Sequence, residues 1–310
     1  MLLNLLQDPH AQHEGTKAAA QAVEETGKVD IGGTILHHIT NSHELELPFL
    51  GTVKLPHFDP IHIGSMTIDL SPSKHVVMMW IVAALLLLVF TILSRPKLIP
   101  KGLYNFFESI IVFIREEVVR PNFGDKTDSY VNYFLTVFFF ILFSNLLGLI
   151  PFGSTATGNI AVTATLAVCT FLVTQYSAVK AQGIIGYFKH LMGGIDEMNM
   201  NIVMKAVLIV IMVPVEFIGL FTKPFALCIR LFANMTAGHV VILSLIGLIF
   251  VLKSILVGFF VSIPMALFIY MLEIFVAFLQ AYVFTLLSAI FIGMALHSGH
   301  EEHHAEAGHH

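Results

Sequence analysis

Four ionisable side chains stand inside long apolar stretches of this sequence: Glu216, Arg230, His239 and Glu273. On insertion scales a charged Arg, Lys or Asp at the centre of a membrane helix costs about 2.5 to 3.5 kcal/mol, and such residues face a partner or a water-filled path. Arg230 makes the strictest demand. Its guanidinium cannot lose a proton in a protein, whereas a histidine or a glutamate can neutralise itself. It therefore needs an anion, or several hydrogen-bond acceptors, at membrane depth.

Helical spacing relates these residues to one another. Asn234 follows Arg230 by four positions and Glu216 precedes it by fourteen, so both fall within about 40° of its face. His239 lies nine positions on, about 180° round the axis. Glu273 and Gln280, seven apart, share a face of the last apolar stretch. Glu216 is displaced from Arg230 by about 20 Å in one direction along the helix and His239 by about 13 Å in the other. A fixed cation between titratable groups that lead opposite ways suits an ion path in two parts, with Arg230 as an electrostatic divider that is neither acid nor base. A carboxylate brought to it by another subunit would be held ionised. Spacing alone leaves a second arrangement open, an internal ion pair of Arg230 with Glu216 or Glu273 that only orders the helices. His239 could equally be a packed neutral histidine with Glu273 as its partner. Asn145, Asn159, Asn234 and Gln280 could serve as hydrogen bonds between helices, worth about 0.6 to 2 kcal/mol each.

The elements that must hold these groups follow from composition. Of 310 residues 56% are hydrophobic and 12% charged, against roughly 25% charged in soluble domains. A soluble globule is excluded. Net charge is -5, with 16 Lys and Arg against 21 Asp and Glu, which leaves no electrostatic footprint for nucleic acid. Cys169 and Cys228 lie in apolar runs and read as packing residues. Runs at 76–94, 133–151 and 160–179 each match the ~20 residues that cross the hydrocarbon. Residues 101–120 alternate apolar and charged positions at helical spacing and read as an interfacial amphipathic helix. Residues 202–252 and 255–296 would extend about 75 and 60 Å as single helices, so each must tilt strongly, kink at Pro214, Pro224 or Pro264, or fold into re-entrant halves. The fold expected is an all-α membrane protein with about five to six transmembrane helices, two of them long and strongly tilted. Residues 1–75 form an extramembrane segment, 76–296 the membrane domain with its helical hairpin at 202–296, and 297–310 a histidine-rich polar tail, expected to be disordered. Basic residues cluster between the first two crossings and after the third, which places those loops in the cytoplasm and the N-terminus outside. Five crossings put the C-terminus inside. There is no Walker-type glycine loop and no nucleophile elbow. Accordingly no nucleotide site, catalytic site, cofactor or defined metal site is expected in this chain.

Residues 223–239, reading KPFALCIRLFANMTAGH, closely resemble the signature of subunit a of the membrane (Fo) sector of F-type ATP synthase. Supporting stretches are SNLLGLIP at 144–151, TQY at 174–176 through GY at 186–187, and LQAY at 279–282. The resemblance covers roughly residues 75–296. It implies that Arg230 is the family's essential arginine, facing the proton-carrying carboxylate of the rotating c-ring. By the same resemblance Asn234 and Gln280 are polar residues near it, and Glu216 belongs to the cytoplasmic half-channel. In some relatives the position of His239 holds glutamate and that of Glu273 histidine, so this chain carries the pair in exchanged order. The implied function is that of a stator subunit in the bacterial inner membrane with two offset half-channels. Implied partners are the c-ring, the subunit b stalk, the rest of the complex and membrane lipid. Two alternatives from other classes are an ion-coupled secondary transporter, which would carry internal repeats and a midplane pocket, and a purely structural membrane subunit, which would tolerate loss of Arg230.

Overall fold

Apolar backbone in hydrocarbon must satisfy its own hydrogen bonds, and long apolar stretches therefore become helices. The computed structural model describes residues 44–47, 51–54, 61–63, 66–68, 71–93, 102–150, 155–191, 201–252, 256 and 258–307. Among the described residues six longer helices carry the architecture: α1 Lys74–Leu93, α2 Leu103–Phe113, α3 Thr127–Gly148, α4 Ile160–Leu191, α5 Ile202–Leu252 and α6 Ile263–Ala307. Five stretches among the described residues are long and apolar enough to cross a membrane: Lys74–Leu93, Leu103–Gly148, Ile160–Tyr187, Met204–Leu248 and Gly258–Leu296.

The amphipathic segment expected at 101–120 is helical and runs on towards the next crossing with little interruption. Gly102, at φ 67°, turns the chain into α2. A π-helical turn, Ile114–Val119, follows. Its wider winding brings Ile114, Val118 and Val119 to full burial. Pro121 has no N–H to give and sits in the first turn of Arg120–Phe123, where none is needed. The opposite face is ionic, with Arg115 to Asp128 at 2.7 Å and Arg120 to Glu116 at 2.6 Å. Such exposed pairs contribute about 0 to 1 kcal/mol each.

Of the three routes open to the long stretches, the chain takes continuous helix. α5 is helical for 51 residues, through both Pro214 and Pro224. α6 follows a π-helical turn at Gly258–Ser262 and continues for 45 residues. It thereby includes 297–307 of the tail expected to be disordered. The alanines and glutamates of that stretch favour helix and extend one already nucleated. The N-terminal segment, expected only to lie outside the membrane, forms two short antiparallel hairpins. Leu45 pairs with Val53 in the first and His62 with Thr67 in the second.

Contacts divide the described residues into two compact units: one holds 44–74 and 236–275, the other 75–150, 155–235 and 276–307. The second unit has an aromatic core. Phe134, Phe139 and Phe284 are fully buried with Ile141, Leu231 and Ile292, and Phe90 meets Phe139 edge-on at 4.9 Å. The buried positions Leu227, Leu231 and Met235 of α5, spaced by four, present one face of that helix inward.

Candidate functional site

In the second unit, burial of Leu227 and Leu231 leaves the neighbouring side of α5 unpacked, and Arg230 is exposed there. None of the ion pairs among the described residues involves Arg230. One turn along, Asn234 Nδ2 donates to Gln280 Oε1 at 2.8 Å. Gln280 is 1% exposed, and its Nε2 has no hydrogen-bond partner among the described residues. The neighbours of Gln280 on its helix, Ala277 and Ala281, are both fully buried, and their small side chains let another helix come close. Asn145 also reaches α6, with Nδ2 at 3.5 Å from the carbonyl oxygen of Ala277. Thr157 Oγ1 donates to Asn145 Oδ1 at 2.6 Å. Asn159 does not join two helices. Its Oδ1 accepts the N–H of Ala161 at 2.8 Å and so caps the start of α4, a common use of asparagine at that position.

In the first unit His239 and Glu273 meet. Nδ1 of His239 lies 2.9 Å from Oε1 of Glu273, the separation of a charge-assisted hydrogen bond. The glutamate is 2% exposed and the histidine side chain 24%. Glu273 is sealed in by its neighbour across the pair: a Cβ on Gly238 would stand 2.5 Å from Oε1. Glycine is what lets the carboxylate reach the histidine. The second oxygen, Oε2, is buried without a hydrogen-bond partner among the described residues, as are the hydroxyls of Thr236 and Ser262 in the same unit. One oxygen is thus fixed by a base and the other stays open as an acceptor.

Glu216 occupies a different setting, a cavity of about 410 Å³ in the second unit. α4 contributes Gln175, Gln182 and Tyr187 to its wall, α5 contributes Glu216 and Lys223, and α6 contributes Phe291. The ammonium of Lys223 sits 5.5 Å from the centre of the Phe291 ring, a cation–π placement that holds a charge beside an apolar surface. Glu216 is half-buried and opens on this space.

The second unit thus holds Glu216, an Arg230 with no ion pair among the described residues, and the Asn234–Gln280 pair; the first unit holds the His239–Glu273 pair. A family model described as ATP synthase A chain matches residues 76–293. The chain belongs to the ATP synthase A chain family. It is 50% identical over 302 residues to ATP synthase subunit a of Pelodictyon phaeoclathratiforme, covering 95% of this chain and 85% of that one. Subunit a of Chloroherpeton thalassium is 53% identical over 278 residues, with 88% and 78% covered. Subunit a of Anaeromyxobacter sp. is 46% identical, with 96% and 77% covered. The family is the proton-translocating a subunit of the Fo sector, a multi-pass membrane protein that works in a complex with a c-ring and other subunits. The transporter and scaffold alternatives are not favoured.

Of the residues that types and spacing single out in this ATP synthase A chain fold, the structure pairs Asn234 with Gln280 and His239 with Glu273, leaves Arg230 exposed, and sets Glu216 on a cavity. Sequence reading missed Thr157, which fixes Asn145, and the structural need for Gly238. It also gave no role to Gln175 and Tyr187, whose side chains meet at 2.5 Å. Gly183, a glycine inside a helical run, was the one available signal.

Proposed function

We propose that Arg230 separates two proton half-channels and is neutralised by the c-ring carboxylate as it passes. The observation that carries this reading is the exposed guanidinium without an ion pair among the described residues. Met212 and Val215 are exposed within about 60° of it on α5, and the adjoining face exposes Ile211, Ile218, Phe225 and Ile229, an apolar surface suited to docking against another membrane surface. A charge held there draws an anion from that partner. In this scheme His239, Glu273, Asn234 and Gln280 serve the outer half-channel and Glu216 the cytoplasmic one. The N-terminus lies outside and the C-terminus in the cytoplasm of a bacterial cell, and a subunit b stalk holds the chain as stator. Residues 101–120 lie along the membrane interface.

The chemistry then runs in one direction. A proton taken up at the buried His239–Glu273 pair passes to a ring carboxylate, which becomes neutral and can turn away into lipid. When the ring returns the carboxylate to Arg230, the cation favours the ionised form, and the proton leaves past Glu216. Each charge crossing 100 mV releases about 2.3 kcal/mol, which rotation carries to distant ATP chemistry. Arg230→Ala and Arg230→Lys should leave the complex assembled while proton-driven ATP synthesis in membrane vesicles falls to background. The lysine variant keeps a positive charge but loses the planar donor fork. Synthesis at the wild-type rate in either variant would refute the divider.

A further inference from the structure

The cavity beside Glu216 owes one wall to a break in α4. Gly183, at φ 72° and ψ 170°, occupies a backbone region that is in practice restricted to glycine. In an unbroken helix Tyr187 would stand about 18 Å from Gln175 and about 120° round the axis. The break turns the chain back, and Tyr187 Oη donates to Gln175 Oε1 at 2.5 Å. Immediately before the break, Gln182 Nε2 donates to the carbonyl of Ala295 on α6 at 3.2 Å. The helix is therefore tied to its neighbour up to the glycine and to itself after it. Gln175, Gln182 and Tyr187 all line the cavity. Ile184 and Ile185, exposed in the turned-back segment, stand outside it.

We infer that the Tyr187–Gln175 hydrogen bond is a latch that holds the turned-back end of α4 as the side wall of the cytoplasmic half-channel. Tyr187 and Gln175 are positioning residues for proton transfer at Glu216. The tyrosine suits a wall, since it joins an apolar ring to a hydroxyl that meets a polar partner. With the latch closed, lipid chains are kept out and a polar surface stands across from Glu216. With it open, the segment after Gly183 loses its tie to the wall. The titratable groups lining the cavity are Glu216 and Lys223 from α5 and Tyr187 from α4; α6 supplies Phe291, Met294 and Ala295, which do not titrate. This inference rests on reading the cavity as the cytoplasmic half-channel.

The test is ATP-driven proton pumping by the intact complex in inverted membrane vesicles, where the cytoplasmic side faces the medium and protons are taken up through this cavity. Tyr187→Phe and Gln175→Leu should each slow pumping about fivefold, the equivalent of one lost hydrogen bond. The loss should deepen as the medium is made more alkaline and protons become scarce on that side. The response to lumenal pH should be unchanged. The double variant should pump no more slowly than either single variant, because both remove the same bond. Gln175→Glu, which keeps an acceptor oxygen for the tyrosine, should retain pumping. Glu216→Gln separates this inference from the reading beneath it. Wild-type pumping by Tyr187→Phe at every pH, with Glu216→Gln impaired, overturns the latch and leaves the half-channel standing. Additive losses in the double variant overturn it as well. Wild-type pumping by Glu216→Gln overturns the half-channel itself, and the latch with it.

Discussion

Two glutamates of this protein live in opposite surroundings. Glu273 is 2% exposed, holds His239 through one oxygen and is closed over by Gly238. Glu216 opens on a cavity of about 410 Å³ with polar side chains from α4 across from it. A sealed carboxylate exchanges protons only through the atoms that touch it, so each of those atoms counts. An open one can be reached by water from several sides, and water-bridged contacts are nearly as good as direct ones. On the proposed reading, the same residue type would therefore serve as a rigid relay in one place and a tolerant one in the other.

Substituting the acids themselves tells the two settings apart most directly. Glu273→Gln should lower proton-driven ATP synthesis by about 100-fold or more, in the range of a lost acid–base group. His239→Leu should come close to it, because removing one partner of a buried pair strands the other at a cost of about 3 to 5 kcal/mol. Glu216→Gln should cost less, about tenfold, or 1.4 kcal/mol in the barrier. Equal losses at both glutamates would abolish the distinction. The exchange His239→Glu with Glu273→His keeps one acid and one base in contact and should outperform both single changes. A double variant no better than the singles would show that the two side chains are not coupled.

A gentler perturbation reaches Glu273 without altering any titratable group. Gly238→Ala places a methyl 2.5 Å from Oε1, and such overpacking costs about 1 to 3 kcal/mol. The carboxylate must draw back from Nδ1 of His239. ATP synthesis should drop about tenfold, with 1.4 kcal/mol of misplacement as its equivalent, and its dependence on outer pH should shift. Loss of synthesis with an unchanged outer pH profile would place the damage elsewhere.

Much of this was legible in the sequence because the membrane restricts what apolar segments can do. Arg230 stood out since no other charge is so costly to leave unmatched, and His239 and Glu273 stood out as an acid and a base in the same setting. The illegible parts depend on single backbone choices. Nothing in the period of α4 says that it turns at Gly183, and without that turn Tyr187 and Gln175 are strangers. Asn159 looked like a bridge between helices because it neighbours an apolar run; whether it caps depends on where the first turn begins. The π-helical turn at Ile114–Val119 shifts burial by one residue, which a strict 3.6-residue period does not anticipate. The hairpins at 44–54 and 61–68 are only three or four residues per strand, too short to leave a clear alternation.

A buried polar pair that handles no proton on the proposed reading shows whether burial alone makes a polar group sensitive. Thr157 and Asn145 are both fully buried, with the threonine hydroxyl 2.6 Å from Asn145 Oδ1. Thr157→Val keeps the shape and removes the donor, which leaves Oδ1 unsatisfied at a cost of about 1 to 3 kcal/mol. The assembled complex should dissociate at lower temperature in detergent, while ATP synthesis in vesicles at growth temperature stays within about twofold of wild type, because no proton is handled there. Adding Asn145→Leu removes the stranded acceptor and should recover part of the lost stability, since replacing both partners with apolar groups is often near neutral. If Thr157→Val instead lowers synthesis as strongly as Gly238→Ala, sensitivity follows burial in general. If it lowers stability alone, the sensitivity of Glu273 belongs to its proton.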